Sequence, residues 1–128
     1  MDHKNPSMSR SIAYKIVPKS VWESQLSSLG KFIGTEVDGK DGFIHLSASE
    51  QLKETARKWF RGQRNLLLIR VDLTKIQGVV KWEPSRNNDL FPHVYGSVDS
   101  SSVIWIRDLL LTTDGLDFVY PPEVGLDG

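Results

Sequence analysis

Short stretches in which apolar residues alternate with polar ones, or run together over the length of a strand, recur along this chain and predict β-strands. The predicted strands cover residues 12–17, 43–46, 65–72, 79–83, 103–107 and 116–120. The 65–72 segment is almost wholly apolar, which is typical of a central strand that is buried on both faces. Residues 90–96 are also too rich in large apolar groups to be a simple linker.

Two segments follow the helical period instead, with apolar residues three or four positions apart. In the first, Ser20 is predicted to cap a short helix that Gly30 ends. In the second, Ser47 and Glu50 have the spacing of a capping box, which predicts a helix over residues 48–61. The predicted buried face of this second helix consists of Leu52, Ala56, Trp59 and Phe60.

The order of these segments predicts a single folded domain over residues 11–120. Residues 35–42 are polar and glycine-rich and are predicted to form a loop. The ends, residues 1–10 and 121–128, are predicted to be disordered tails. Two helices in the N-terminal half, followed mainly by strands, are typical of the α+β class with a mainly antiparallel sheet.

Composition narrows the range of functions. The 128 residues include 16 basic and 16 acidic side chains, so no overall field draws the protein to duplex nucleic acid. The absence of cysteine excludes disulfides, zinc–thiolate sites and thiol catalysis. The chain has neither the apolar run of a membrane span nor the pattern of a signal peptide. We therefore expect a cytoplasmic protein that does not contact membranes.

The candidate chemistry centres on two histidines that lie in apolar segments, His45 and His93. Each is followed two positions later by a hydroxyl group, that of Ser47 or Tyr95. Because residues i and i+2 of a strand face the same side, each segment is predicted to present an imidazole together with a hydroxyl. The alternative is that both histidines are structural and hold the ends of apolar strands in register.

Other kinds of site have weaker support in the sequence. Glu83 would complete a two-histidine, one-carboxylate metal site, but the spacing is no known signature, and no metal is assigned. Ser47 does not lie in the Gly-x-Ser-x-Gly turn of a serine nucleophile. An anion could bind at the start of the second helix, with Lys15 and either Arg57 or Arg64 adding positive charge.

Aromatic residues and glycine-rich motifs add little to these candidates. Among the tryptophans, only Trp82 is considered for ligand contact, since Trp22 and Trp59 fall on predicted helix cores. No glycine-rich phosphate-binding motif is present, so a bound nucleotide would have to be held in another way.

Several motifs together resemble the DUF952 family of small domains. They are Tyr14-Lys-Ile, Asp41-Gly-Phe-Ile-His-Leu-Ser, Gln51, Thr55-Ala, Trp82-Glu and Phe91-Pro-His-Val-Tyr-Gly. The resemblance spans about residues 11–111. The family is grouped by fold with the ADP-ribosyltransferase superfamily, so the resemblance implies two small, mainly antiparallel sheets with a nucleotide cleft between them.

The resemblance also implies an activity. The expectation is an ADP-ribosyltransferase-like enzyme, or a protein that binds NAD or a nucleotide phosphate, whose partner is a nucleotide-like small molecule. No cofactor is expected to be bound tightly, and NAD is a candidate substrate. The alternative is a non-enzymatic ligand-binding or protein-interaction domain in which the histidines are structural.

Roles for individual residues follow from the same resemblance. The expected catalytic residues are His45, His93, Glu83 and Tyr95, and the expected binding residues are Tyr14, Lys15 and Ser47. The third motif of the superfamily often supplies a glutamate. In this chain either Glu83 or the His93–Tyr95 pair could fill that role. Lysine at position 15 departs from the histidine or arginine expected there and weakens the case for NAD cleavage.

Overall fold

The computed structural model describes residues 10–126, which form seven strands and three α-helices. The strands are β1 (Ile12–Pro18), β2 (Ile44–His45), β3 (Leu66–Asp72), β4 (Gln77–Pro84), β5 (Leu90–Ser97), β6 (Val103–Leu111) and β7 (Phe118–Val119). The helices are α1 (Lys19–Leu29), α2 (Glu36–Asp41) and α3 (Ser49–Phe60). The predicted α+β class is confirmed. Within residues 10–126, no helix has the length and apolar character that crossing a bilayer requires.

The strands form two antiparallel sheets. The first has the order β1-β3-β6-β7 and the second the order β2-β5-β4. Strand β3 lies between β1 and β6 with most of its side chains buried, which confirms the predicted central strand. In the second sheet, Gly78 lies opposite Gly96, and a Cβ at position 96 would come within 2.0 Å of the Gln77 carbonyl oxygen. Glycine therefore permits the close approach of β4 and β5 there.

Burial of apolar side chains on both faces of the first sheet holds the fold together. Neighbouring residues of β1 point to opposite faces, so Val17 and Tyr14 lie in different clusters. The cluster containing Val17 packs both sheets together and includes Val94 of β5. The cluster containing Tyr14 lies against α3, which contributes Leu52 and Ala56. The second sheet thus buries one face against the first sheet.

The helices differ from the sequence predictions at their starts. Helix α1 ends at Gly30 in the left-handed conformation, as predicted, but its N-cap is Pro18, and Ser20 lies inside the helix. The predicted loop at residues 35–42 is wrong, because it contains α2. There the Thr35 side chain accepts from the Asp38 N–H group, and the Asp38 carboxylate accepts from the Thr35 N–H group. This capping box stabilises a helix of only six residues.

The predicted capping box of α3 is also wrong. Gln51, not Glu50, accepts a hydrogen bond from the backbone N–H group of Ala48 at 2.9 Å. The Ser47 hydroxyl lies instead 3.0 Å from Thr55 Oγ1. Leu52 and Ala56 are buried as predicted, whereas Trp59 is 64% exposed and does not join the core.

The chain ends differ from prediction where the structure describes them. Residues 1–9 and 127–128 of the predicted tails lie outside the described residues. Pro122–Leu126, in the predicted C-terminal tail, forms a 3-10 helix, and Val124 is buried in the cluster against α3. An apolar side chain with a place in the core thus extends the ordered domain beyond residue 120.

Candidate functional site

The second sheet carries a row of polar and titratable side chains on the face opposite its buried one. In the antiparallel register, His93 of β5 lies opposite His45 of β2 on one side and opposite Lys81 of β4 on the other. Opposing residues of antiparallel strands share a face, and so do residues two apart on one strand. Glu83 and Tyr95 therefore lie on the same face as both histidines. We call this surface the histidine face.

His93 is enclosed and paired with a carboxylate. Its Nδ1 lies 2.8 Å from Glu83 Oε1, and the Tyr95 hydroxyl donates to the same oxygen at 2.8 Å. Because a carboxylate only accepts, this geometry places the imidazole hydrogen on Nδ1 and leaves a lone pair on Nε2. The His93 side chain is 5% exposed, and its Nε2 is buried without a hydrogen-bond partner.

The pKa values of this group keep the imidazole neutral. Burial lowers the pKa of His93, and the opposing effect of the Glu83 hydrogen bond is smaller. Hydrogen bonds from His93 and Tyr95 lower the pKa of Glu83. The hydrogen bond to Glu83 raises the pKa of Tyr95, so its hydroxyl keeps its proton. Near neutral pH the group is a carboxylate, a phenol and a neutral imidazole.

His45 is oriented by a buried carboxylate, that of Asp38. Asp38 Oδ1 lies 2.7 Å from His45 Nδ1 and accepts from the His45 backbone N–H group at 3.1 Å. Lys15 Nζ lies 3.0 Å from Asp38 Oδ2 and donates to the His45 carbonyl oxygen at 2.9 Å. The ammonium group of Lys15 and the backbone of β2 thus fix both the carboxylate and the imidazole.

Burial acts on both charges of the Lys15–Asp38 ion pair. For Asp38, burial alone would raise the pKa, but the hydrogen bond from His45 and the charge of Lys15 outweigh it and lower the pKa. For Lys15, burial lowers the pKa, and the neighbouring Asp38 opposes that change. The carboxylate of Asp38 therefore stays ionised beneath the site.

The second ring nitrogen of His45 faces another carboxylate. Its Nε2 lies 2.9 Å from Asp41 Oδ2, and both side chains are partly exposed. Both ring nitrogens of His45 thus face carboxylate oxygens, which only accept hydrogen bonds. His45 therefore lies between two carboxylates, whereas His93 is paired with one and its Nε2 has no hydrogen-bond partner.

The two imidazoles pack together with one aromatic ring. The His45 and His93 ring centroids are 5.4 Å apart, with planes at 68°. Phe43 stacks on His93 at 4.1 Å and lies 4.6 Å from the His45 ring. The rings form one compact layer on the histidine face, and the partly exposed His45 and Glu83 connect this layer to solvent.

Some of the predicted site residues lie together and others do not. The predicted pairing of His93 with Tyr95 is present, since both bind Glu83. The predicted pairing of His45 with Ser47 is absent, because the Ser47 hydroxyl meets Thr55. These hydroxyls lie on the α3 side of the site.

The two predicted binding residues of β1 lie on opposite faces of that strand. Tyr14 is fully buried in the cluster against α3, where its ring centroid lies 6.1 Å from that of Trp105. Lys15 lies on the other face, beneath Asp38, with its ammonium group enclosed. Lys15 therefore supports the histidine face from below, whereas Tyr14 belongs to the core.

The remaining predicted candidates lie outside the histidine face. Arg57 is exposed and pairs with Asp117 at 3.1 Å. The guanidinium of Arg10 lies over the ring of Trp82, 4.4 Å from its centroid. Arg64 is exposed after the end of α3. Among residues 10–126, no group of three or more histidine, aspartate or glutamate side chains is placed to hold a metal ion.

Sequence reasoning missed Asp38 and assigned no role to Asp41 or Phe43, although both lie in the motif that contains His45. A signal for Asp38 exists, because Thr35 and Asp38 have the spacing of a capping box, which predicts a helix start in the supposed loop. Phe43 also precedes His45 by two positions, the spacing of side chains on one face of a strand. The contact between Asp41 and His45 depends on how the α2–β2 connection folds, and local spacing does not reveal it.

Comparison with known proteins identifies the family. A family model described as "Protein of unknown function (DUF952)" matches residues 16–106, so the chain belongs to the DUF952 family. The fold is similar to the X-ray crystal structure of protein CC0527 from Caulobacter crescentus, at 45% sequence identity and a TM-score of 0.76, covering 83% of this chain and 92% of that chain. The solution NMR structure of CC0527 is similar too, at 45% identity and a TM-score of 0.72, covering 84% and 91% of the two chains. No curated protein matches this chain.

Proposed function

We propose that this domain is an enzyme that uses His45 and His93 as an acid–base pair on a nucleotide-like, phosphorylated small molecule. The observation that carries the proposal is the pair of adjacent imidazoles, each oriented by its own carboxylate, with His45 Nε2 facing the exposed Asp41 and His93 Nε2 free of any hydrogen bond. A proton acceptor beside a proton donor is what a transfer or hydrolysis reaction requires.

Each imidazole has a distinct task in this proposal. His93 Nε2 has a free lone pair but is buried, so the side chains that enclose it must first move to admit the attacking water or hydroxyl. It then takes the proton from that nucleophile, while Glu83 stabilises the imidazolium that forms. His45 Nε2, at the exposed side of the pair, gives its proton to the leaving group after displacement of the partly exposed Asp41. Lys15 acts as a positioning residue through Asp38.

The substrate class rests on two supports of different kinds. The split pair of antiparallel sheets agrees with the ADP-ribosyltransferase grouping that the family resemblance implies. The second support is the chemistry of the leaving group. Nicotinamide departs from NAD as a neutral molecule and needs no proton, so NAD would leave the proton-donating histidine without a task. A phosphate ester or a glycoside whose leaving atom must be protonated gives both histidines a role, so we place such substrates ahead of NAD.

A specific observation favours the competing, non-enzymatic function. His93 is almost fully enclosed, and its Nε2 is buried, as expected of a histidine that serves structure alone. In that case the two imidazole–carboxylate pairs hold β2, β4 and β5 in register, and the histidine face would bind a ligand or protein without turnover.

Ligand screening with histidine variants distinguishes the two functions. The parent protein, His45→Gln and His93→Gln are tested by thermal shift against NAD, ADP-ribose, nucleoside monophosphates and a 2′-phosphorylated RNA end, followed by product analysis. A ligand at about 100 times its dissociation constant adds about 2.7 kcal/mol to the free energy of unfolding and raises the melting temperature by several degrees. We expect turnover of one of these ligands that either variant lowers at least about 100-fold. Binding without turnover in the parent, or turnover that persists in folded variants, would refute the acid–base role.

A further inference from the structure

One charged side chain near the histidine face is enclosed without a strong partner. Arg86, in the turn between β4 and β5, has a side chain that is only 13% exposed. Its guanidinium carbon lies 4.9 Å from the centroid of the Phe91 ring. Phe91 lies opposite Glu83 and two residues before His93, on the same face of the sheet. Arg86 therefore marks one end of the histidine face.

The contacts of Arg86 leave most of its donor capacity unused. Both terminal nitrogens share a single acceptor, Thr55 Oγ1, at 3.4 Å. The Nε atom is buried without a hydrogen bond, and the exposed Glu54 carboxylate lies 3.6 Å away. Charge-assisted hydrogen bonds of a guanidinium are normally about 2.7–2.9 Å long. An enclosed cation with long contacts lacks the strong acceptors that such a group normally has when buried.

One hydroxyl group meets this guanidinium, and a second hydroxyl lies next to the first. Thr55 Oγ1, which meets Arg86, lies 3.0 Å from the buried Ser47 Oγ. Hydroxyl groups rotate to donate to an incoming oxygen, and a guanidinium grips a phosphate with two parallel hydrogen bonds. We propose that Arg86, Thr55 and Ser47 form a binding site for a phosphate group of the substrate. The predicted pairing of Ser47 with His45 is absent, but in this proposed site Ser47 would still contact the ligand.

The position of this site limits the size of the substrate, an inference that rests on the proposed function. Phe91, which lies beneath Arg86, and His93 are two residues apart on β5, about 7 Å along the strand. That separation matches a phosphate and a reacting bond at opposite ends of one ribose unit. A nucleoside monophosphate or another ribose phosphate thus fits the two sites together.

Phosphate binding tests this site without requiring turnover. Inorganic phosphate, adenosine 5′-monophosphate and adenosine are titrated into the parent, Arg86→Gln and Arg86→Lys, with arginine Nε–H signals followed by NMR. Arg61→Gln, which alters an exposed arginine at the end of α3, is the matched control. We expect Arg86→Gln to weaken binding of both phosphates at least about tenfold and Arg86→Lys to weaken it less. Arg61→Gln should bind as the parent does, and adenosine should bind all four proteins weakly.

The outcomes separate this inference from the proposed function. If the parent binds phosphate but turns over no nucleotide, and Arg86→Gln loses the binding, the phosphate site is supported and the proposed enzymatic function is refuted. Turnover with the parent's KM in Arg86→Gln refutes the site alone. Equal phosphate binding by the parent and Arg86→Gln, or no saturable shift in the parent, also overturns the inference. If Arg86→Gln unfolds, Arg86→Lys decides, because loss of the two parallel hydrogen bonds still weakens binding.

Discussion

The two imidazole–carboxylate pairs of the histidine face are built in opposite ways. In the first, the carboxylate of Asp38 is buried and its partner, His45, is partly exposed. In the second, the imidazole of His93 is buried and its partner, Glu83, is partly exposed. A buried charge must be compensated, and Asp38 is compensated by Lys15 and by backbone N–H groups. For His93, the single carboxylate of Glu83 does not offset the effect of burial, and the imidazole stays neutral.

This difference shows how the surroundings of an imidazole–carboxylate pair determine which of its two members carries a charge. The hydrogen bond from His45 and the charge of Lys15 keep Asp38 ionised in spite of its burial. Burial keeps His93 unprotonated, because it lowers the pKa of the imidazole by more than the hydrogen bond to Glu83 raises it. In the proposed reaction, the environment of each pair, and not the identity of its residues, would decide which imidazole donates a proton and which accepts one.

The largest expected effect follows from removing the charge of Asp38. Asp38→Asn leaves the ammonium of Lys15 buried without a counter-charge, which should cost about 3–5 kcal/mol of unfolding free energy. Urea unfolding of the parent and the variant measures this loss. The double variant Lys15→Met with Asp38→Asn should recover part of it, because no buried charge then remains unpaired.

The matched control for this change is Asp41→Asn, which alters a partly exposed carboxylate facing the same histidine. A surface ion pair contributes less than about 1 kcal/mol, so this variant should stay close to the parent in stability. Equal losses for the Asp38 and Asp41 variants would show that the buried Lys15–Asp38 ion pair contributes no more to stability than the partly exposed contact of Asp41 with His45.

A smaller effect is expected from the titration of His93. Its pKa is lowered in the folded state, so as the pH falls below about 6.5 the unfolded chain binds a proton that the folded protein does not. This contribution to stability is fully present above that pH and is lost as the pH falls toward the folded pKa, by no more than about 1.4 kcal/mol per pH unit. His93→Gln should remove this part of the pH dependence in urea unfolding between pH 5 and 8.

NMR titration of the His93 ring protons sharpens the same point. The hydrogen bond to Glu83 raises the pKa of His93 and so opposes the effect of burial. Glu83→Gln should therefore lower the His93 pKa further. A His93 that titrates at its ordinary value, with no change in Glu83→Gln, would contradict the contrast between the two pairs.

The sequence predicts those contacts of this site whose residues are close together in the chain, and it fails for those whose residues are far apart. His93 and Tyr95 are two positions apart on one strand, so local alternation was enough to predict their shared face. Asp38 was missed because its helix has six residues and its carboxylate meets Lys15, which lies 23 positions earlier in the chain. Periodicity also placed Trp59 in the core, although the buried stripe of α3 is narrower than the apolar pattern suggests.

The enclosed arginine illustrates a second limit. Arg86 lies in a hydrophilic turn, where a charged side chain is usually solvated, and nothing near it in sequence indicates that it packs over Phe91 and against α3. That contact arises only when β5 and α3 come together. The fold class and the histidine pair were thus predictable from local patterns, whereas the charges that surround them depend on tertiary structure.

The smallest expected effect is that of Tyr95→Phe, and it tests how Glu83 is held. The variant removes one hydrogen bond to a partly exposed oxygen, which water can replace, so the free energy of unfolding should change little. The same hydrogen bond lowers the pKa of Glu83, so that pKa should rise, as carboxyl NMR titration would show. Asp38 has several buried donors, whereas Glu83 depends on His93 and this single phenol. A Glu83 pKa that stays unchanged in Tyr95→Phe would mean that His93 alone orients the second carboxylate.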